Sequence, residues 1–209
     1  MTYIFDMGGV LVDIDVYGFM DRLKKLMPSG SELGASPNEL LGGGGQSFFH
    51  DYEMGYISTE EALLHFHSIC RQDITDQQIK EVWFSELAPV SEKVKAILRH
   101  LRRDSNNTVF MLSNTNPMHW EEYIAPMFNA DGYTLDDYFN RVFLSYQLHL
   151  FKPEREMYAE IEKYIPRGDS VVYVDDVEKN RLAAPDRWQT FASINEMIHP
   201  MKMNYNISK

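Results

Sequence analysis

The chain holds 209 residues, 44% of them hydrophobic, with 20 Lys and Arg against 31 Asp and Glu, a formal net charge of −11. That length suits one good-sized domain, or one domain carrying a smaller insert, and the acidic balance argues against a nucleic-acid partner, which calls for a basic face. No run of about 18 apolar residues is present to span a membrane. Cys70 is the single cysteine, so no internal disulfide forms, and strand-like sequence begins at once with no signal-like region; a cytoplasmic protein is the expectation.

The first element is a short buried strand, Tyr3 to Phe5, ending abruptly on Asp6. Met7, Gly8 and Gly9 follow, then an apolar trio and two more aspartates, Asp13 and Asp15. A carboxylate closing a buried strand is costly unless it is paired or used. Residues 16–88 read as helices, "YGFMDRLKKLM", "STEEALLHFHSICRQ" and "TDQQIKEVWFSEL", with no convincing strand. The run Gly42 to Gly45 lies among them and reads as a flexible connection, since no Gly-Lys-Ser/Thr follows to make a phosphate loop. His65 and His67 are two apart, which on a helix points them in different directions, so they do not share a metal ion. Cys70 reads as a partly buried thiol and Trp83, Trp120 and Trp188 as packing residues; His50, Asp51 and Glu53 either reach the site or, the favoured reading, form a solvated face.

From about residue 89 the pattern alternates. "SEKVKAILRHLRR" puts Val94, Ile97, Leu98 and Leu101 on one stripe behind a Ser91 cap. "TVFMLSNTN" runs apolar from Val109 to Leu112 and meets Ser113, Asn114 and Thr115; "RVFLSYQ" meets Ser145. "KPEREMYAEIEKY" predicts a helix with Pro153 near its first position. "SVVYVDD" ends on Asp175 and Asp176, and "TFASI", 190–194, predicts a fifth strand. Short apolar runs alternating with helices indicate a doubly wound parallel α/β sheet. The expected division is therefore an α/β core over 1–15 and 89–209 and a small inserted helical cap over 16–88. In such sheets ligands bind beyond the carboxyl ends of the strands, where Asp6, Ser113 and the Asp175–Asp176 pair all fall.

Four motifs in order, "FDMGGVLVD", "LSNTN", "KPE" at 152–154 and "VDDVEKN", resemble those of the haloacid dehalogenase-like (HAD) hydrolase superfamily, most of all its small-sugar-phosphate phosphatases with a helical insert after the first strand. The resemblance spans the chain and implies a Rossmann-like core and a Mg²⁺ cofactor. It makes Asp6 the nucleophile that takes the phosphoryl group, Ser113 and Asn114 donors to the transferring oxygens, and Lys152 the neutralising cation. Mg²⁺ would be held by Asp6, the backbone carbonyl of Gly8 and Asp176. Asp175 is implied as a supporting or additional ligand, and Asn180 as the residue that orients the acidic loop.

The chain departs from this pattern at one position. The family's usual general acid is an aspartate two residues after the nucleophile, and here that residue is Gly8. Three consequences are open: another acid (Asp13, Asp15 or one from the cap) supplies the proton, the leaving group needs little help, or catalysis is lost. The reading carried forward is a Mg²⁺-dependent phosphatase acting on a small phosphorylated metabolite such as a sugar 1-phosphate. A metal-independent 2-haloacid dehalogenase and a non-catalytic phosphometabolite-binding protein are the alternatives. Substrate identity and oligomeric state are not legible.

Overall fold

Residues 1–31 and 48–198 are described by a computed structural model; the glycine run Gly42 to Gly45 lies outside them. Five strands form one all-parallel sheet in the order β3-β2-β1-β4-β5: β1 (Thr2–Phe5), β2 (Thr108–Ser113), β3 (Arg141–Leu144), β4 (Val171–Val174) and β5 (Trp188–Phe191). The two-residue period of a strand sends alternate side chains to opposite faces. Tyr3, Phe5, Val109, Met111, Val172 and Val174 therefore fill one apolar cluster, while Ile4, Phe110, Leu112, Val171 and Tyr173 fill another. Helices cover both faces. Ile97, Leu98 and Leu101 of α5 (Glu92–Arg103) join the first cluster, and Met157, Tyr158 and Ile161 of α8 (Arg155–Glu162) join the second.

Between β1 and α5 the described chain is helical: α1 (Val16–Leu26), α2 (Phe48–Glu53), α3 (Thr59–Ile69) and α4 (Asp76–Phe84). Three of these helices carry side-chain caps. Asp15 accepts from Gly18 N–H ahead of α1, and Ser58 with Glu61 and Thr75 with Gln78 form reciprocal capping boxes on α3 and α4. Their apolar stripes meet in a third cluster built on Phe19, Leu23, Tyr52, Phe66, Ile79 and Trp83, joined from the sheet side by Met118. Aromatic edges fix the packing, with Phe19 T-shaped on Trp83 at 5.5 Å. Among the described residues no helix is long and apolar enough to cross a membrane.

The two chain segments that join this insert to the sheet lie side by side. Asp15 N–H donates to the Glu86 carbonyl at 2.7 Å and Ala88 N–H to the Asp13 carbonyl at 2.9 Å. Both segments therefore pass over the end of β1.

The remaining elements are a π-helical segment, Met118–Ile124, running into α6 (Ala125–Phe128), a 3₁₀ turn at Leu135–Asp137, then α7 (Ser145–Leu148), α9 (Glu178–Ala183) and α10 (Ile194–Ile198). Two expected boundaries move. The fifth strand sits at Trp188–Phe191 instead of 190–194, because β5 is an edge strand anchored by buried Trp188 and half exposed beyond it, which hides the apolar run. Helix α8 starts at Arg155, after Pro153, because the chain at Lys152 is committed to Asn114, whose side-chain oxygen accepts Lys152 N–H at 2.9 Å.

Candidate active site

Register brings the carboxylates together. Phe5 pairs with Val174 across β1 and β4, and Asp6 N–H donates to the Val174 carbonyl at 2.8 Å, so the next residues, Asp6 and Asp175, leave the sheet side by side. This is the point where the strand order reverses, the usual crevice of an open α/β sheet. Lys152 arrives from the far side of β2. Asn114, just past β2, holds the Lys152 backbone at both ends, accepting its N–H at 2.9 Å and donating to its carbonyl at 3.0 Å. The lysine Nζ lies 2.7 Å from Asp6 Oδ2 and 2.8 Å from Asp175 Oδ2, and all three side chains are buried.

The two neighbouring aspartates differ in what is left for a ligand. Asp175 accepts from Lys152 Nζ, Tyr173 OH at 2.5 Å, Val177 N–H at 2.9 Å and Asn180 Nδ2 at 3.0 and 3.1 Å. Its lone pairs are taken, so it steadies Lys152 and the loop. Burial opposes its ionisation, but the Lys152 ammonium and these donors outweigh burial and hold its pKa below the ordinary range. Burial pushes Asp6 the other way, well above the ordinary carboxylate value, with Asp175 and Asp176 adding to the rise and Lys152 opposing it. Lys152 is raised by its two carboxylates against its own burial. Asp176 is exposed, and one oxygen from each of Asp6, Asp175 and Asp176 lies within 4.8 Å of the others. Gly9 makes room for that cluster. It has φ +72°, and a Cβ there would stand 2.2 Å from Asp176 Oδ2.

A pocket opens over these groups. Asp6, Gly8, Asn114, Thr115, Lys152, Asp176 and Asn180 line it from the sheet, and Glu53, Glu86 and His119 line it from the other side. Ser113 is buried behind this wall, its hydroxyl 3.3 Å from the Asn114 carbonyl. Thr115, not singled out from sequence, lines the pocket with a buried hydroxyl that has no partner among the described residues. Glu86 was missed as well, and Glu53, for which a solvated face was the favoured reading over a reach to the site, lines the pocket. Burial lifts both glutamates to about 8, with Glu86 adding to the rise at Glu53. The signal for Glu86 was its place at the return crossing, which has to pass the mouth of β1. His119 is lowered to about 4 by burial and is neutral; its Nε2 lies 3.1 Å from the Trp83 carbonyl and 3.5 Å from Glu86. Asp13 and Asp15 are elsewhere: both are exposed, and Asp15 is spent on the α1 cap and on Arg22 at 3.1 Å. His67 bonds Asp76 at 2.5 Å while His65 stacks on Phe48, so the two diverge.

The model of the haloacid dehalogenase-like hydrolase family matches residues 1–185. The chain belongs to that family. It is 29% identical over 180 residues, 85% of its length and 83% of the relative's, to the D-ribitol-5-phosphate phosphatase of Bacteroides thetaiotaomicron. Among solved structures, it superposes with a TM-score of 0.74 on a HAD family enzyme of the same organism in complex with magnesium and inorganic phosphate, at 25% identity over 91% of this chain and 92% of that one. A Porphyromonas gingivalis protein described as a predicted HAD-like family hydrolase gives a TM-score of 0.77 at 25% identity, over 96% and 97% of the two chains. The helices between β1 and β2 fall inside the matched span.

Proposed function

We propose that this chain hydrolyses a small phosphorylated metabolite through a phosphoryl group carried transiently on Asp6. The observation that carries the reading is the Lys152 ammonium bridging Asp6 and Asp175 at 2.7 and 2.8 Å, at the mouth of the central strands. A buried carboxylate held by a fixed cation is a preorganised nucleophile: the lysine keeps its charge as the phosphoryl group arrives, with no solvent to reorganise. The Asn114–Lys152 backbone pair sets the lysine's height. The Thr115 hydroxyl, which has no partner among the described residues, and the Asn114 amide are the proposed donors to the phosphoryl oxygens, and the Ser113 hydroxyl, whose 3.3 Å contact is weak, would have to turn toward them from behind the wall.

The donor set fits Mg²⁺, which prefers hard oxygen ligands. Asp6, Asp176 and the Gly8 carbonyl would hold it, with Asp175 and Asn180 behind them, and the glycine at position 9 leaves Asp176 the space to do so. When bound, the cation neutralises charge on the transferring phosphoryl group. Residues 1–15 and 89–209 act as the core and 16–88 as a cap whose pocket residues, Glu53 and Glu86 among them, face the leaving group.

For substrate, we infer a phosphorylated sugar or sugar alcohol. Gly8 alone favours an easy leaving group such as a sugar 1-phosphate, whereas the ribitol-5-phosphate phosphatase relative is named for a primary alkyl phosphate. A cytoplasmic setting suits the single reduced cysteine.

Trapping tests the reading. Beryllofluoride with Mg²⁺ is expected to raise the melting temperature of the wild type, by linkage equivalent to about 2.7 kcal/mol at a hundredfold excess over Kd. Asp6→Asn is expected to show no such rise. An equal rise in Asp6→Asn, or one that survives chelation of Mg²⁺, would contradict the assignment.

A further inference from the structure

An alkyl phosphate gives up its alcohol only if the departing oxygen receives a proton, and the turn after β1 offers none, because Gly8 has no side chain. Six other groups at the pocket carry or accept protons. Asp6 and Lys152 are paired with each other, and Asp176 belongs to the cation cluster. His119 is neutral and already committed. The Asn116 side-chain oxygen takes Trp83 Nε1–H and His119 N–H, which turns its NH₂ toward His119 Nδ1, so the histidine's own proton sits on Nε2, between the Trp83 carbonyl and Glu86. Glu86 stands 3.5 Å from that Nε2, a contact that holds it beside His119. Glu53 lines the same pocket, close enough to Lys152 and Asp6 to feel both charges, and no described residue donates a hydrogen bond to its carboxyl.

The backbone around Glu53 is clamped to the sheet. Ser145 Oγ donates to the Glu53 carbonyl at 2.6 Å while accepting Thr115 N–H at 2.9 Å, so one hydroxyl ties the insert to the loop after β2. His149 Nδ1 meets the Met54 carbonyl at 2.7 Å. Gly55, at φ +69°, lies so close to the Tyr146 carbonyl that a Cβ would be 2.2 Å from its oxygen. One residue earlier, the Tyr52 hydroxyl accepts Met118 N–H at 3.2 Å. The end of α2 is therefore fixed against the sheet, and of its two acids, Asp51 and Glu53, it is Glu53 that lines the pocket.

We propose that Glu53 is the general acid and base of this hydrolase, standing in from the helical insert for the side chain that Gly8 lacks. This rests on the phosphatase reading above. In the first half-reaction an Asp6 oxygen bonds to phosphorus and the P–O bond to the alcohol breaks. The electron pair stays on the alcohol oxygen, which takes the Glu53 proton. In the second half the Glu53 carboxylate takes a proton from water as the water oxygen bonds to phosphorus and the P–O bond to Asp6 breaks. Phosphate leaves, and Asp6 and protonated Glu53 are restored. The surroundings suit a carboxyl that holds its proton at neutral pH: Glu53 is lifted to about 8 by burial first, then by Glu86, with Lys152 opposing and Asp6 adding to the rise. His119 and Asp176 complete the groups facing the pocket.

The test is the leaving-group dependence of the first half-reaction in Mg²⁺, measured as the pre-steady-state release of p-nitrophenolate from p-nitrophenyl phosphate and of ribitol from D-ribitol 5-phosphate. A phenolate departs without a proton and ribitol does not. Glu53→Gln is expected to slow ribitol release by 10²–10⁴-fold, and nitrophenolate release at least tenfold less than that. A second variant guards against simple damage to the fold. Position 8 accepts a side chain if Ile14 shifts, since an added Cβ would meet only that side chain, Cδ1 at 2.6 Å and Cγ1 at 3.3 Å. Gly8→Asp placed on Glu53→Gln is expected to recover ribitol release, which a merely structural role for Glu53 would not allow. Equal slowing of both substrates without recovery, or no slowing of either, would overturn the assignment of Glu53 while leaving the Asp6 chemistry standing. Wild-type protein that releases neither product would overturn the phosphatase reading and this inference with it.

Discussion

Gly8 and Gly9 are adjacent on one turn yet answer to different constraints. At Gly9 both the positive φ and the 2.2 Å approach to Asp176 exclude a side chain. Gly9→Ala is expected to cost about 1–2 kcal/mol from the left-handed backbone alone and to weaken Mg²⁺ binding by displacing the Asp176 carboxylate. Gly8→Ala is expected to cost less than about half of that, because only the Ile14 tip has to move. Denaturant unfolding with a Mg²⁺ titration separates the two, and equal losses would contradict the account. Lys152 is the more severe case. Removing it as Lys152→Met leaves the Asp6 and Asp175 carboxylates buried without their cation, a loss in the range of about 3–5 kcal/mol. Urea unfolding of that variant checks the figure, and a change under about 1 kcal/mol would mean that the carboxylates find other partners.

At the scale of elements, the joint between α2 and α7 decides whether the insert holds a fixed position. Ser145→Ala removes the hydroxyl that bonds both Glu53 and Thr115 and is expected to cost about 1–3 kcal/mol, the penalty of stranded buried backbone groups. It should also speed amide exchange in the described part of α2 while β1 and β4 stay protected. Uniform acceleration across the sheet would instead mean that the insert and sheet open as one unit. The sheet strands were legible because each is a short apolar run cut off by a polar residue, the mark of a strand buried on both faces. β5 was placed two residues late because an edge strand half in water does not carry that run. Asp6, Lys152, Asp175 and Asp176 were legible as strand-end and motif residues. Glu53 was not, because an acid at the end of a six-residue amphipathic helix looks like any solvated face. The tertiary contacts of Glu53, Met54 and Gly55 with Ser145, His149 and Tyr146 fix that helix end against the sheet.

For the whole molecule, the buried glutamates give stability a definite pH slope. Burial raises Glu86 from 4.5 to about 8, so between those values the folded chain binds more protons than the unfolded chain, and stability falls as pH rises. Without Mg²⁺, the melting temperature is expected to drop between pH 5 and 8.5, and Glu86→Gln to flatten that drop; parallel curves would contradict it. Asp175, held below its ordinary value, acts at the other end, contributing stability that is lost as pH falls through its folded pKa. The net charge of −11 does not bar an anionic substrate, because fields are screened within about 8 Å at physiological salt and the buried lysine and the cation govern the pocket. The helices between β1 and α5 bury one apolar cluster and the two faces of the sheet bury two others, and the pocket is lined by residues of both parts. The most direct measurement is phosphate release from D-ribitol 5-phosphate in Mg²⁺ by the wild type beside Asp6→Asn. Hydrolysis by the wild type that is lost on chelation and abolished in Asp6→Asn is the predicted result. Undiminished hydrolysis by Asp6→Asn would contradict the account.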